Sequence, residues 1–427
     1  LLAAATVAIA WRAPSVGAAV PVAAVLVALV IAEWAVPYAR ETLVGPVTGL
    51  EGRAQAGSHM VFGAVFAVLF GAAGFRAQGR YARALPPILW SATAAAAPTL
   101  ILVALYYRVA DAERSIPFAA LALLLAALYA TATEILAKRE RRPGLTSAEA
   151  LFAVSAVASL ALALTMALEK GWLTVALALM APGIAMIAER RPLPMLRWLA
   201  AAVAVAVVGR VMWEPRIVGA DIGTTPIFNW LLWGYGVPAL CFWFTAARLR
   251  RRADDTPCRI LDSAAILFTV LTLTLEIRHY VNGGDIYRAG PRLLEYGMQA
   301  SALLAVAIGL ERVRGRSGSI VHNIGAVVVA GLALCVIVFG LLVGENPLFT
   351  RVNVGGAVIN LLLVAYGIPA VLAITLALVA RGTRPMRYRA VAAAASVVLT
   401  LTYLSLQVRR FFQGPVLHID GLPGESG

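Results

Sequence analysis

Asn229-Trp230-Leu231-Leu232-Trp233-Gly234-Tyr235-Gly236-Val237-Pro238-Ala239 returns once, as Asn360-Leu361-Leu362-Leu363-Val364-Ala365-Tyr366-Gly367-Ile368-Pro369-Ala370. Seven of the eleven positions are identical, at an offset of 131 residues. Both copies lie in apolar runs long enough to cross a bilayer, which takes roughly 20 residues as a helix. Both put a proline where a helix interior should not have one. Such a residue removes a hydrogen bond and pushes against the carbonyl four residues back, here that of Gly234 or Ala365. Helix breaks are therefore expected at Pro238 and Pro369.

The surrounding composition fits a membrane. Of 427 residues 61% are apolar and 14% charged, against about 25% charged in a soluble domain. Mean hydropathy is +0.83. The apolar runs are too long and continuous for the alternating ten-residue strands of an outer-membrane barrel. The fold class is all-α: a polytopic integral membrane protein of about 14 transmembrane helices in a bundle. The segments are about 1–11, 17–37, 58–75, 86–107, 116–137, 147–168, 172–189, 194–212, 225–247, 259–278, 291–311, 319–343, 355–380 and 389–407. Gly63, Ala67 and Gly71, four apart, suit close helix packing in lipid. The chain opens at Leu1 inside an apolar run, without Met or a basic leader, and reads as a fragment.

The net charge of +14 comes from basic residues in short loops, so insertion topology explains it and no nucleic-acid partner is expected. Alternate loops carry 22 of the 36 basic residues and the opposite set 13, with Arg12 set aside. The positive-inside rule puts the richer face in the cytoplasm and expects a bacterial inner membrane. Residues 38–57, 108–115, 169–171, 213–224, 279–290, 344–354 and 408–427 then face outward.

The duplication extends beyond the quoted stretch. Glu214 matches Glu345 at the same offset, each in a short loop with a proline beside it, Pro215 or Pro347. Glu276-Ile277-Arg278-His279-Tyr280-Val281-Asn282-Gly283 matches Gln407-Val408-Arg409-Arg410-Phe411-Phe412-Gln413-Gly414 at the same offset. The offset spans four helices, so the copies are parallel rather than inverted. The organisation expected is N-terminal helices over 1–145, four-helix repeats over 146–255 and 256–383, and the start of a further repeat over 384–427.

With these residues in view, the chain resembles a bacterial family of predicted membrane proteins, domain of unknown function family 2339. The resemblance rests on Gly223–Leu240, Leu273–Gly284, Gln407–Pro415 and Ala167–Leu179, and covers most of the chain from about residue 30 on. It implies a multi-span membrane fold and carries over no catalytic residue.

Candidate chemistry gathers at the outer helix ends. Glu276 and His279, three apart, share a helix face and are the candidate acid–base pair, with histidine near neutral pKa as a shuttle. Arg278, Arg409 and Arg410 could hold an anion. In the second copy Gln407 cannot ionise. The plainer alternative is a helix end anchored at the headgroups by snorkelling arginine, with Tyr280 and Phe411 as interfacial aromatics. Asn229 and Asn360 should hydrogen-bond a neighbouring helix or meet a ligand, and Tyr235 and Tyr366 lie beside them as further ligand candidates. His59, His279, His322 and His418 share no spacing, nor do Cys241, Cys258 and Cys335, so neither a metal nor a cofactor is expected. Asp254-Asp255 reads as a solvated turn. Gly355-Gly356 reads as the opening of a helix, without the lysine of a phosphate loop.

Three functions remain open. The first is a transporter or flippase for an envelope solute or lipid-linked precursor, with an outward anion or headgroup site. The second is a non-catalytic scaffold of an envelope assembly with a protein partner. The third is a membrane enzyme acting on an outer-leaflet substrate. Membrane lipids surround the protein in each.

Overall fold

The computed structural model describes residues 1–33, 50–81, 83–140, 142–168, 170–191, 193–213, 222–288, 292–357 and 359–419. Glu214, Pro215, Glu41, Glu169 and Asp221 lie outside the described residues.

The described residues form helices joined by short loops. In chain order these are α1 (Leu2–Arg12), α2 (Ala19–Glu33), α3 (Leu50–Arg76), α4 (Leu85–Ala110), α5 (Ile116–Ala137), α6 (Leu145–Ala167), α7 (Lys170–Arg190) and α8 (Pro194–Trp213). There follow α9 (Val237–Arg250), α10 (Thr256–Val281), α11 (Arg292–Ser317), α12 (Ile320–Cys335), α13 (Ile368–Val379) and α14 (Met386–Gln413). Ten helices among the described residues are long and apolar enough to span a membrane, while α1, α2 and the rod Leu363–Val379 are shorter. Large apolar side chains such as Val22, Leu124, Leu240, Val371 and Leu401 lie exposed on these rods. In water that surface would drive aggregation; against lipid tails it is the matched solvent. The chain is a polytopic all-α membrane protein.

Two compact units divide between Val203 and Ala204. In the first, small residues let backbones approach. A Cβ on Gly74 of α3 would lie 2.3 Å from the carbonyl oxygen of Trp90 on α4, so only glycine permits this contact. Pro98 sits inside α4; one turn back, the Ala95 carbonyl accepts the Tyr129 hydroxyl at 2.8 Å. That donor ties α5 to α4 beside Ala94, the residue whose carbonyl loses its partner to Pro98.

Among the described residues of the second unit, three π-helical stretches are built into the rods: Leu232–Gly236 leads into α9, Val336–Gly344 prolongs α12, and Leu363–Gly367 leads into α13. The expected breaks at Pro238 and Pro369 take this form. Val237 N–H reaches back five residues to the Leu232 carbonyl, and Ile368 N–H reaches five back to Leu363. Widening the turn just ahead of each proline relieves its ring from collision with the carbonyl four residues behind. The rods remain helical across the proline instead of unwinding. Gly297 of α11 packs on the second of these turns: its Cβ would lie 2.6 Å from the Ala365 Cα.

Two loop readings change. Gly355-Gly356 lies in a bend ahead of the helix, with Gly355 at φ +80°. Asp254-Asp255 is no simple solvated turn. Asp255 caps α10 by accepting the Cys258 N–H at 3.2 Å, and Asp254 lies 3.6 Å from Arg259. At the same Arg-rich ends, buried Glu311 of α11 accepts Arg384 Nε at 2.7 Å and Arg314 Nε at 3.0 Å.

Candidate functional site

Two matching constellations form where each π turn begins. In the first, the loop over 222–229 folds tightly: Gly223 has φ +86° and Ile227 φ +68°. For a β-branched residue that conformation is strained. The bend delivers Asn229 to the helix start, where its Oδ1 accepts the Leu231 N–H at 2.7 Å. This is an asparagine cap, satisfying a donor that the first turn leaves orphaned. Its Nδ2 donates to Glu276 Oε2 at 2.9 Å and lies 3.4 Å from His279 Nδ1.

His279 is 1% exposed, and its Nε2 lies 2.7 Å from the Gly223 carbonyl oxygen. A carbonyl only accepts, so Nε2 carries the proton and Nδ1 faces the Asn229 amide as acceptor. Those partners set the tautomer, with Nε2 donating to the Gly223 carbonyl. The second oxygen of Glu276, Oε1, is buried with no hydrogen-bond partner among the described residues, and so are both polar atoms of Asn282. Asn282 follows α10 at 5% exposure.

The second constellation repeats this with amides alone. Asn360 Oδ1 accepts the Leu363 N–H at 3.1 Å, and its Nδ2 donates to Gln407 Oε1 at 3.0 Å. Asn229 to Glu276 and Asn360 to Gln407 are both 47 residues apart. Gln407 Nε2 also reaches the Tyr403 hydroxyl at 3.1 Å. Tyr366 is fully buried and donates to the Leu341 carbonyl at 2.7 Å, within the π stretch of α12. Tyr235 packs on Phe268, ring centroids 6.2 Å apart.

The arginines are engaged by the protein itself. Arg278 donates to Glu295 at 3.0 Å and to the Ile286 and Arg288 carbonyls. Arg409 donates to Gln413 at 2.6 Å and to the His418 carbonyl at 3.4 Å. Arg410 takes the Gly355 carbonyl at 2.7 Å and that of Ala357 at 3.3 Å. They tie down the loops that frame the two sites. Glu295, only 4% exposed, was not singled out from the sequence. An acid in the first turn of an apolar helix, one short loop after the adjacent Arg278-His279, is the signal that marks it.

A further centre missed in the sequence lies at the opposite, Arg-rich end of α10. Asp262 is fully buried, pairs with Arg250, and has Oδ1 3.4 Å from His322 Nε2. His322 Nδ1 lies 2.7 Å from Ser317 Oγ, and the imidazole stacks on Trp243 with centroids 5.7 Å apart. Asp254, Cys258 and Asp262 bring three ligand-type atoms within 4.8 Å of one another. Arg250 and Arg259 already face these two carboxylates. Two guanidinium groups balance the acids and repel a metal cation, so the set fits an ion-pair cluster better than a metal centre.

Long apolar helices, loops pinned at both ends and buried polar centres near helix ends define a multi-pass membrane protein. The chain belongs to the family of predicted membrane proteins DUF2339, whose model matches residues 1–422, a match that begins nearer the chain's start than the motifs alone had suggested. No curated protein and no solved structure matches it.

Proposed function

We propose that the protein is a transport-type membrane protein, a carrier or flippase for an envelope solute or lipid-linked precursor, whose site centres on Glu276 at the end of α10. One observation carries this reading: Glu276 Oε1 is buried without a donor, beside the Asn229 amide and the His279 ring. Leaving an ionised oxygen unpaired costs more than leaving a neutral one, roughly 1–3 kcal/mol or above. Such a group is suited to take a proton, a cation or a ligand donor in turn. Helices modified at corresponding places in two repeats are a recognised setting for transport sites.

The same reading treats the two halves as parallel duplicates, with four-helix repeats over 146–255 and 256–383 flanked by 1–145 and 384–427. Support comes from the shared asparagine cap, the shared π turn and the shared amide contact 47 residues on. The excess of arginine in alternate loops supports a bacterial inner membrane with the Glu276 end outward. Ligand contact falls to Glu276, Asn229 and Tyr235, with Asn360 and Tyr366 as the neutral counterpart. Arg278, Arg409 and Arg410 frame the two sites. An enzyme reading fares less well, because both nitrogens of His279 already have partners.

The test is complementation of a deletion strain, read as growth together with uptake or lipid translocation in membrane vesicles. Glu276→Gln is expected to lose at least nine-tenths of the wild-type signal and Glu276→Asp to keep part of it. Full complementation by Glu276→Gln removes the reading.

A further inference from the structure

We infer that α10 and the rod in front of it enclose a proton-conducting seam running from Glu276 to Asp262. The inference rests on the transport reading only in naming the proton as the coupled ion.

On the first rod, Asn229, Gly236, Trp243 and Arg250 stand seven residues apart. Each meets one residue of the antiparallel α10. Asn229 donates to Glu276 at 2.9 Å. Gly236 faces Thr272, where an added Cβ would lie 3.6 Å from Thr272 Cγ2. Trp243 Nε1 donates to Thr269 Oγ1 at 3.0 Å, and Arg250 pairs with Asp262. On α10 the positions 262, 269, 272, 276 and 279 are spaced seven, three, four and three, which keeps them on one face. Glu276 and Asp262 are 14 residues apart, about 21 Å of helix. A polar face of that length between apolar helices is costly in lipid and marks ion pathways.

Each end carries the same pair of groups. Glu276 Oε1 and Asp262 Oδ1 are both buried carboxylate oxygens without a hydrogen-bond partner. Each acid lies near a buried histidine, His279 or His322. The charged groups facing Asp262 are Arg250 on α9, His322 on α12, and Asp254 with its partner Arg259. Cys258 lies a turn earlier on α10 itself. Around Glu276 the loop contributes only neutral groups, and on α11 Glu295 is paired with Arg278. The second copy has Ala393, Thr400, Tyr403 and Gln407 at the corresponding places, so it holds no carboxylate at either end.

A proton entering at the Glu276 end adds to Oε1. It passes along the Thr272 and Thr269 hydroxyls, about 5–6 Å apart on one helix face, which must turn from the Phe268 and Ala265 carbonyls they donate to at 2.7 Å and take up an intervening water. From Thr269 it crosses, through a second water, beside Trp243, whose Nε1 donates to Thr269 and whose ring stacks on His322; His322 takes it on Nε2, with Asp262 Oδ1 stabilising the imidazolium, and releases one from Nδ1 to half-buried Ser317. Each hop makes one O–H or N–H bond and breaks another, no electron pair changes owner, and one proton crosses.

The test uses the full chain in liposomes holding a pH-sensitive dye, with a potassium–valinomycin potential as driving force. Wild type is expected to acidify the lumen well above empty vesicles. Glu276→Gln and Asp262→Asn should each lower the flux at least tenfold. Thr272→Val, which keeps shape and folding, should lower it several-fold at unchanged thermal unfolding. Flux in wild type no higher than in empty vesicles overturns the inference, as does wild-type flux in Glu276→Gln and Thr272→Val. Flux that depends on these residues, beside full complementation by Glu276→Gln in cells, would leave the seam standing and remove the transport reading. Absent flux beside failed complementation would do the reverse.

Discussion

Asn229 does two jobs with one amide: its oxygen caps a helix and its nitrogen holds Glu276. Asn229→Ala removes both, orphaning the Leu231 N–H and leaving the carboxylate with neither oxygen paired. Losing an asparagine cap costs about 1 kcal/mol, and a deserted buried acceptor adds about 1–3 kcal/mol. Asn360→Ala loses a similar cap but deserts only a neutral amide that keeps Tyr403. The apparent melting temperature in detergent should therefore fall further for Asn229→Ala than for Asn360→Ala; equal shifts would contradict the asymmetry. Glu276→Gln gives the first site the Asn–Gln amide pair of the second. Its melting temperature should be unchanged or raised, because an amide tolerates a partnerless oxygen better than a carboxylate does. A stability near wild type also makes the functional loss expected of this variant a statement about chemistry.

At the scale of elements, the π turn sets which residue faces which. An α-helix rotates about 100° per residue, so one residue more or less in the turn swings Asn229 away from Glu276. Proline keeps the wide turn in place by withholding the N–H that would close a four-back bond to Gly234. Pro238→Ala supplies that donor and lets the turn tighten. In the pair Asn229→Cys with Glu276→Cys, built without the native cysteines, cross-linking by a short bifunctional thiol reagent should be efficient with Pro238 present, since the two native side chains meet tip to tip. Adding Pro238→Ala should lower the yield several-fold, and an unchanged yield would show that the turn holds its shape without proline.

At the scale of the molecule, the proposed sidedness rests on the charge of alternate loops and is open to labelling. Asp285 lies exposed beyond the end of α10, and Gly315 exposed near the Arg-rich end of α11. A membrane-impermeant thiol reagent on intact cells should modify Asp285→Cys and spare Gly315→Cys, in a background where exposed Cys335 is replaced. Labelling of Gly315→Cys alone would invert the proposed topology. The fold was legible at this scale. Spans need a run of about 20 apolar residues, and such runs stand out in a sequence with few charges. The quoted repeat also marked the two places where Asn229 and Asn360 reach α10 and α14. The partners were less legible. Glu295 and Asp262 are single acids inside apolar helices, and nothing in local spacing shows that Arg278 or Arg250 will meet them across a helix interface.

By itself, then, the sequence determined the all-helical class, the spans and the family, since a bilayer constrains apolar length and backbone pairing so tightly that composition and periodicity suffice. Tertiary structure alone decided that the prolines ride on π turns, that Arg278, Arg409 and Arg410 bind their own loops, and that Glu276 and Asp262 each keep a buried oxygen without a hydrogen bond. Those outcomes depend on which side chain arrives within 3 Å of another across helices distant in sequence. No one-dimensional pattern carries that distance.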